Sequence, residues 1–200
     1  VWVYASSHDG EEELAIKAHA AIFSAVPHLL TIIIPRHPER RSEIRGLIES
    51  YGLPFLMRGT TQKLPDKDTQ VYVADTLGEL GLFYRVTPLA VIGRSFSNDG
   101  GGGHNPLEGA LLHCAILHGP NVQNLSDIYS SMDMAGAALR IDSPHRLAST
   151  LQEILTHPAL AALRGRAGHQ STTDADWVCG TPYLVRAITG MAAARRGLGE

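Results

Sequence analysis

The chain is 200 residues long, 44% hydrophobic and 18% charged, the composition of a globular chain of one domain, or one and a half, with a core it can bury. Lys and Arg number 17 against 20 Asp and Glu, a formal net charge of −3, which argues against the broad basic surface of a nucleic-acid binder and leaves any basic site local. Cys114 and Cys179 lack metal-ligand spacing and fit a reducing compartment, and no apolar run approaches the roughly 18 to 20 residues that span a bilayer.

The chain opens on Val1-Trp2-Val3-Tyr4-Ala5 with no initiator Met or signal peptide, and it reads as a piece of something longer that begins inside a strand. After that strand, Ser6 to Gly10 is an expected turn and Glu11 to Val26 a helix whose acidic first turn complements its dipole. Leu29 to Ile34 is a β-branched apolar run of the kind buried on both faces of a parallel sheet, and Pro35-Arg36-His37-Pro38 stops it. Glu39 to Tyr51 is an amphipathic helix carrying Ile44, Leu47 and Ile48 on one side. A short strand at Pro54 to Met57, a polar loop from Arg58 to Lys67, a strand at Gln70 to Ala74, a helix at Gly78 to Arg85 and a strand at Leu89 to Gly93 follow. Beyond the next loop come a helix from Pro106 to Cys114, a strand at Ala115 to His118, a helix from Leu125 to Met134 and a strand at Ala138 to Ile141. The rest is expected to be helical, from Pro144 to Gly168 and from Trp177 to Arg196.

Regular alternation of strand and helix with short loops predicts a parallel sheet covered by helices on both faces, a Rossmann-like domain of about six or seven strands. In such sheets ligands sit beyond the carboxyl ends of the strands, and the unusual loops fall there. Most distinctive is Val91 to Glu108, where Gly100 to Gly103 form a run that suits neither a strand nor a helix interior. Asn105 then suits an N-cap, Pro106 the first helical position, and Glu108 the place from which a carboxylate reaches back in a capping box. An anion is favoured at such a helix start, although a glycine run without phosphate-loop spacing is equally a tight turn. The histidines outside His8 and His104 read mostly as surface residues, and Asp133 and Asp174 to Asp176 as solvated carboxylates.

The series ASSHDGEE (Ala5 to Glu12), PRHPER (Pro35 to Arg40), DTLGELGLFY (Asp75 to Tyr84), IGRSF and GGHNPLEGA (Ile92 to Ala110) and HGPNVQNLSDI (His118 to Ile128) resembles the C-terminal half of the bacterial 3-deoxy-D-manno-octulosonic acid (Kdo) transferases. The resemblance runs in order from Val1 to about Gln170. It implies a glycosyltransferase of GT-B architecture, in which two Rossmann-like domains face a cleft and the C-terminal one holds the donor, CMP-Kdo. Residues 1–170 would be that donor domain, and 171–200 a helical extension able to cross to the other half. The acceptor, a lipid A precursor of lipopolysaccharide synthesis, and any membrane contact would belong mainly to the N-terminal half, outside this chain. The full enzyme would act at the cytoplasmic face of the inner membrane, and this fragment would be soluble and inactive alone. Ser7, Asp9, Arg41, Leu125 and a longer glycine loop depart from the usual pattern and leave the exact ulosonic acid open.

Residue by residue, the resemblance implies donor contacts at Pro35 and Arg36, a Pro to press on the base and a guanidinium for base or phosphate. It implies a second contact at Leu77, Gly78 and Glu79 and a third at Asn105, Pro106, Leu107 and Glu108, with Glu108 accepting from ribose hydroxyls. Ser6, Ser7, His8 and His104 are additional candidates. Each has a plainer alternative: a surface Arg for Arg36, an ordinary helix N-terminus for Glu79, the capping box for Glu108. No catalytic base is expected in this chain, since the family's lies in the N-terminal half, and no metal or cofactor is expected. Two other readings stay open at this point: another GT-B enzyme or UDP-sugar epimerase, and a nucleotide-sugar-binding module without catalysis.

Overall fold

The computed structural model describes residues 1–61, 63–97 and 99–174. Among them, seven strands form one parallel sheet: β1 (Trp2–Ser7), β2 (Thr31–Pro35), β3 (Phe55–Met57), β4 (Val71–Val73), β5 (Leu89–Ile92), β6 (Ala115–His118) and β7 (Ala138–Arg140). Across the sheet they run β3-β4-β2-β1-β5-β6-β7. The helices α1 (Glu11–Ile22), α2 (Arg41–Ser50), α3 (Leu80–Val86), α4 (Leu107–Leu111), α5 (Ser126–Met134), α6 (Pro144–Thr156) and α7 (Pro158–Asp174) cover both faces. This is the expected Rossmann-like architecture. None of the described helices is long and apolar enough to cross a membrane.

Both faces of the central strands are buried, and their side chains divide by the two-residue period of a strand. Trp2 and Tyr4 of β1 pack with Ile33, Val71, Val91 and Leu117 against Ile16 and Ile22 of α1, Ile44 and Ile48 of α2, and Leu147 and Leu151 of α6. Val3 and Ala5 point the other way, with Ile32, Tyr72, Ala90 and Ile116, against Tyr84 of α3, Leu107 and Ala110 of α4, and Tyr129 and Met132 of α5. Each fully buried aliphatic side chain contributes about 1.5–3 kcal/mol on transfer from water. Covering both faces is therefore what makes continuous apolar runs such as Thr31-Ile32-Ile33-Ile34 stable as strands.

Several elements differ from expectation at their ends. β1 runs on through Ser6 and Ser7, which the sequence places in a turn, and α1 stops at Ile22. The helix expected at Glu39 begins as a 3-10 turn over Pro38–Arg40. The long helix expected from Pro144 to Gly168 is two, broken at His157, because Pro158 has no N–H to donate and pushes the preceding residue out of the helical region. The helix expected from Pro106 to Cys114 is only Leu107–Leu111, and Cys114 lies buried just before β6. The expected boundary after residue 170 falls inside α7, while Cys179 and the helix expected at Trp177 to Arg196 lie outside the described residues.

The centre of the sheet depends on one close approach. A Cβ on Gly93, just beyond β5, would lie 2.0 Å from the carbonyl oxygen of Ser6 and 2.7 Å from that of Ala5. Those are backbone atoms that cannot swing aside. Gly93→Ala is accordingly expected to lower unfolding free energy by about 3 kcal/mol or more in urea titrations. Gly46→Ala, on the exposed face of α2 with nothing within 4 Å of the added carbon, is expected to raise it by about 0.5–1 kcal/mol.

Candidate functional site

The strand order reverses between β1 and β5, with β2, β4 and β3 lying to one side and β6 and β7 to the other. Loops leaving the carboxyl ends at such a switch point diverge and open a crevice. The backbone shapes this one further. Ser6 is a non-glycine residue at φ 58°, and the pairing of β1 with β2 slips between Ala5 and Ser7, a bulge that kinks the strand end. Beside it lies a hollow of about 240 Å3, lined by Ser6, Arg36, Leu80, His104, Asn105 and Glu108 together with apolar wall residues.

Two buried carboxylates hold the rim. Glu11 accepts backbone N–H bonds from His8 at 2.9 Å, Arg94 at 2.7 Å and Phe96 at 3.0 Å, joining the loop after β1 to the loop after β5. Glu12 accepts from the Ser7 hydroxyl at 2.8 Å and from Arg40 at 2.9 Å. The acidic first turn of α1 is thus a pair of structural acceptors, beyond any complement to the dipole. Burial pushes both carboxyls above their ordinary range, and these hydrogen bonds pull them back.

The glycine run returns on its own start. Gly103 N donates to Arg94 O and His104 N to Gly93 O, each at 3.1 Å, and the Tyr129 hydroxyl donates to His104 O at 2.5 Å. His104 is thereby fixed over the carboxyl end of β5. Its Nε2 lies 2.9 Å from His8 Nε2, and His8 Nδ1 lies 3.3 Å from an Asp99 carboxylate oxygen.

The candidate residues separate by position. Arg36, exposed and in no ion pair among the described residues, faces the same hollow as Glu108, Asn105 and His104. Pro35 is buried as the last residue of β2, paired in register with Ser7, and does not line the hollow. Pro106 and Leu107 are buried at the start of α4, below Asn105. Ser6 faces the hollow, whereas Ser7 is fully buried on Glu12. In the loop after β4, Leu77 is 75% exposed and Gly78 takes φ 80°, but the residue of this segment that reaches the hollow is Leu80. Glu79 faces Arg58 at 2.5 and 2.6 Å and Thr76, so it is an ion-pair partner. Asn105 Oδ1 accepts from Leu107 N at 2.9 Å. Glu108 is exposed and its carboxylate accepts no hydrogen bond among the described residues, so the capping box expected of it is not formed.

Three features escaped the sequence. Arg41 pairs with the buried Asp75, which also accepts from Gly59 N at 2.6 Å, anchoring the loops after β3 and β4 to α2. His19 and His118 are buried, not on the surface: His19 between Thr31 and Gln70, His118 between Gly119 O and Asp133. A second hollow of about 700 Å3 opens between the start of α1 and the loops after β5, β6 and β7, lined by Asp9, Glu13, Lys17, Phe96 and Asp142 among others. It is larger, yet it includes none of the candidate residues, and the smaller hollow is the one that brings an unpaired guanidinium and an unpaired carboxylate together.

No family model matches the chain. Relatives and a solved structure do. A 3-deoxy-D-manno-octulosonic acid transferase of Haemophilus influenzae is 32% identical over 171 residues, covering 85% of this chain and 39% of the relative. An Arabidopsis thaliana protein described as "Probable 3-deoxy-D-manno-octulosonic acid transferase, mitochondrial" is 34% identical over 84% of this chain and 38% of its own length. The chain therefore spans about two fifths of these curated relatives. The crystal structure of the C-terminal CMP-Kdo binding domain of WaaA from Acinetobacter baumannii superposes with a TM-score of 0.78 at 30% identity, covering 84% of this chain and 86% of that one.

The Arg58–Glu79 pair carries a pH signature. Hydrogen bonds from Arg58 first, then Thr76, hold the Glu79 carboxyl down to about 2 from an ordinary 4.5. A depressed carboxylate contributes stability that is complete above the ordinary value and is lost as pH falls through the folded one. The urea midpoint of the wild-type chain is therefore expected to drop more steeply between pH 4.5 and about 2 than that of Glu79→Gln, the two curves converging at the acid end.

Proposed function

The chain belongs to the 3-deoxy-D-manno-octulosonic acid transferase family, and from that premise we propose that it is the donor-binding domain of such an enzyme, holding CMP-Kdo at the β1–β5 switch point. One observation carries the reading: Arg36 and Glu108, from motifs far apart in the sequence, face a single hollow there. Their chemistries are complementary to opposite parts of a nucleotide. A guanidinium offers a planar fork of donors to phosphate oxygens, and a free carboxylate accepts from the two ribose hydroxyls.

In transfer, the bond between the sugar's anomeric carbon and the phosphate oxygen breaks, and the electron pair leaves with CMP. Positive donors aimed at that oxygen stabilise the departing charge more in the transition state than in the ground state. Arg36 supplies that here, and the Asn105 side-chain NH2, whose carbonyl oxygen is already engaged by Leu107 N, adds a neutral donor. This reading assigns the phosphate charge to protein groups and not to a metal ion. The acceptor alcohol of a lipid A precursor, and the base that takes its proton, are assigned to the part of the enzyme beyond this chain, at the cytoplasmic face of the inner membrane. Leu77, Gly78 and Glu79 then form the outer rim, with Glu79 bracing Arg58.

Thermal unfolding tests base preference. CMP is expected to raise the melting temperature of this chain more than UMP or UDP at equal concentration, following occupancy. Better protection by UDP would overturn the reading in favour of a UDP-sugar enzyme. Glu108→Gln is expected to weaken CMP binding about tenfold or more, while changing the unfolding free energy of the free chain by under about 0.5 kcal/mol. Loss of stability with unchanged binding would instead assign Glu108 to the helix. The chain alone is expected to show no transfer from CMP-Kdo to a lipid A precursor, a result read by radiolabel incorporation.

A further inference from the structure

The groups over the end of β5 form a chain of three: Asp99 carboxylate, His8 imidazole, His104 imidazole, with the last lining the hollow. Charge and hydrogen bonding together set where their protons lie. The Asp99 carboxylate lies 3.3 Å from His8 Nδ1 in an electrostatic contact, and its negative charge favours the tautomer that carries the hydrogen on Nδ1. A neutral imidazole has one N–H, so His8 Nε2 is a bare acceptor, and the hydrogen in the 2.9 Å contact between the two rings belongs to His104 Nε2. His104 Nδ1 is then also bare. It makes no hydrogen bond among the described residues and is the ring nitrogen left for an occupant of the hollow. In this state His104 offers a lone pair, which repels an anion.

One added proton reverses the hydrogen bond between the two rings. His8 then carries hydrogens on both nitrogens, Nδ1 still facing Asp99 and Nε2 now donating to His104 Nε2, and His104 carries its hydrogen on Nδ1. We propose that the Asp99–His8–His104 chain is a proton-coupled latch for the donor's phosphate: phosphate binding draws one proton from solvent, His104 donates from Nδ1 to a phosphate oxygen, and departure of the nucleotide releases the proton. His104 is the contacting group, and His8 and Asp99 are positioning residues. The inference rests on the donor-site reading above and adds to it a linked proton and its path.

The surroundings agree with a pair that is neutral until an anion arrives. Burial, followed by the neighbouring His8, Arg36 and Arg94, holds His104 down to about 4, with Asp99 opposing. Burial also lowers His8, with Asp99 opposing and Arg94, His37 and Arg36 reinforcing. Glu11, on α1, faces the same turn but its carboxylate is spent on backbone N–H groups, and Glu108 lies across the hollow. His37 meets the His8 ring edge-on at 5.4 Å between centroids. Burial first, and then the neighbouring cations, keep the proton off the empty site. An incoming phosphate offsets them and restores the affinity of the pair for a proton.

The test is calorimetric titration of the chain with the methyl ester of CMP, whose phosphodiester has no proton titrating near neutrality, in buffers of different ionisation heat. Wild-type binding is expected to take up a fraction of a proton that rises towards one as pH falls to about 6, with affinity weakening by up to about tenfold per pH unit above that. His104→Gln is expected to bind with no uptake and a flat pH profile. Asp99→Asn is expected to lower the uptake; its amide oxygen still accepts from Gly101 N, so a change in melting temperature reports the lost contact with Arg94 and is read apart from the uptake. Ester binding without uptake, or uptake persisting in His104→Gln, would overturn the latch and leave the donor site standing. Failure of both CMP and its ester to bind would overturn the donor-site reading and the latch with it.

Discussion

The Glu11 carboxylate is the constraint on which the site depends. It is buried at the start of α1, where an ionised group is costly, and it is stabilised by three backbone N–H groups from two loops that are remote in sequence. Hydrogen bonds to a charged group contribute about 1.5–3 kcal/mol each, and removing the acceptor strands buried donors at similar cost. The loops after β1 and β5 are consequently held as one rim. From the fixed Gly93-Arg94 segment the glycine run then closes back through Gly103 and His104, so the position of the hollow's polar wall is inherited from one side chain on the opposite helix.

That inheritance explains why the architecture was legible while the rim was not. Parallel strands buried on both faces appear in the sequence as unbroken β-branched runs, and Leu29 to Ile34 and Leu89 to Gly93 needed no partner to be recognised. Ends of elements are decided by tertiary contacts. Ser6 and Ser7 look like turn residues by type, yet pairing with β2 and the hydrogen bond of Ser7 to Glu12 keep them in the sheet. α4 shows the converse: its five residues end early because the chain must turn to bring buried Cys114 under Tyr84 and Thr87, whose carbonyl oxygens accept from its thiol.

Charges were misread for a related reason. Read along a chain, an acidic residue has only its helical neighbours and the helix dipole for company, so Glu11 and Glu12 read as dipole complements, as Glu79 does in the plainer alternative to its donor contact. In space each meets a donor from another loop: Arg94 and Phe96, Arg40, and Arg58 respectively. Arg41, a departure from the family pattern, acquires its meaning from Asp75, likewise invisible without the fold. The groups that were legible, Arg36, Asn105 and Glu108, are those whose side chains the fold leaves unspent at the hollow, or spends only on the next turn of backbone. Under the proposed function these are the residues whose chemistry a ligand takes up, and so they have few structural partners to conceal them.

The size and openness of the hollow bear on how the groups act. Sites that enclose a small molecule span about 300–1,000 Å3, and this one, at about 240 Å3, has room for only part of a nucleotide-sized ligand against one wall. Arg36 is open to solvent, where a charge pair 4 Å apart is worth only about 1 kcal/mol, against about 4 kcal/mol where water is partly excluded. Under the proposed function, the same guanidinium becomes an effective stabiliser of a leaving phosphate only when a second wall covers it. Under the proposed function that wall belongs to the remainder of the enzyme, so closure of the cleft both brings up the acceptor and strengthens the electrostatics waiting on this side. On that reading, binding and leaving-group stabilisation are encoded here, and their full strength is conditional on a surface from the rest of the enzyme.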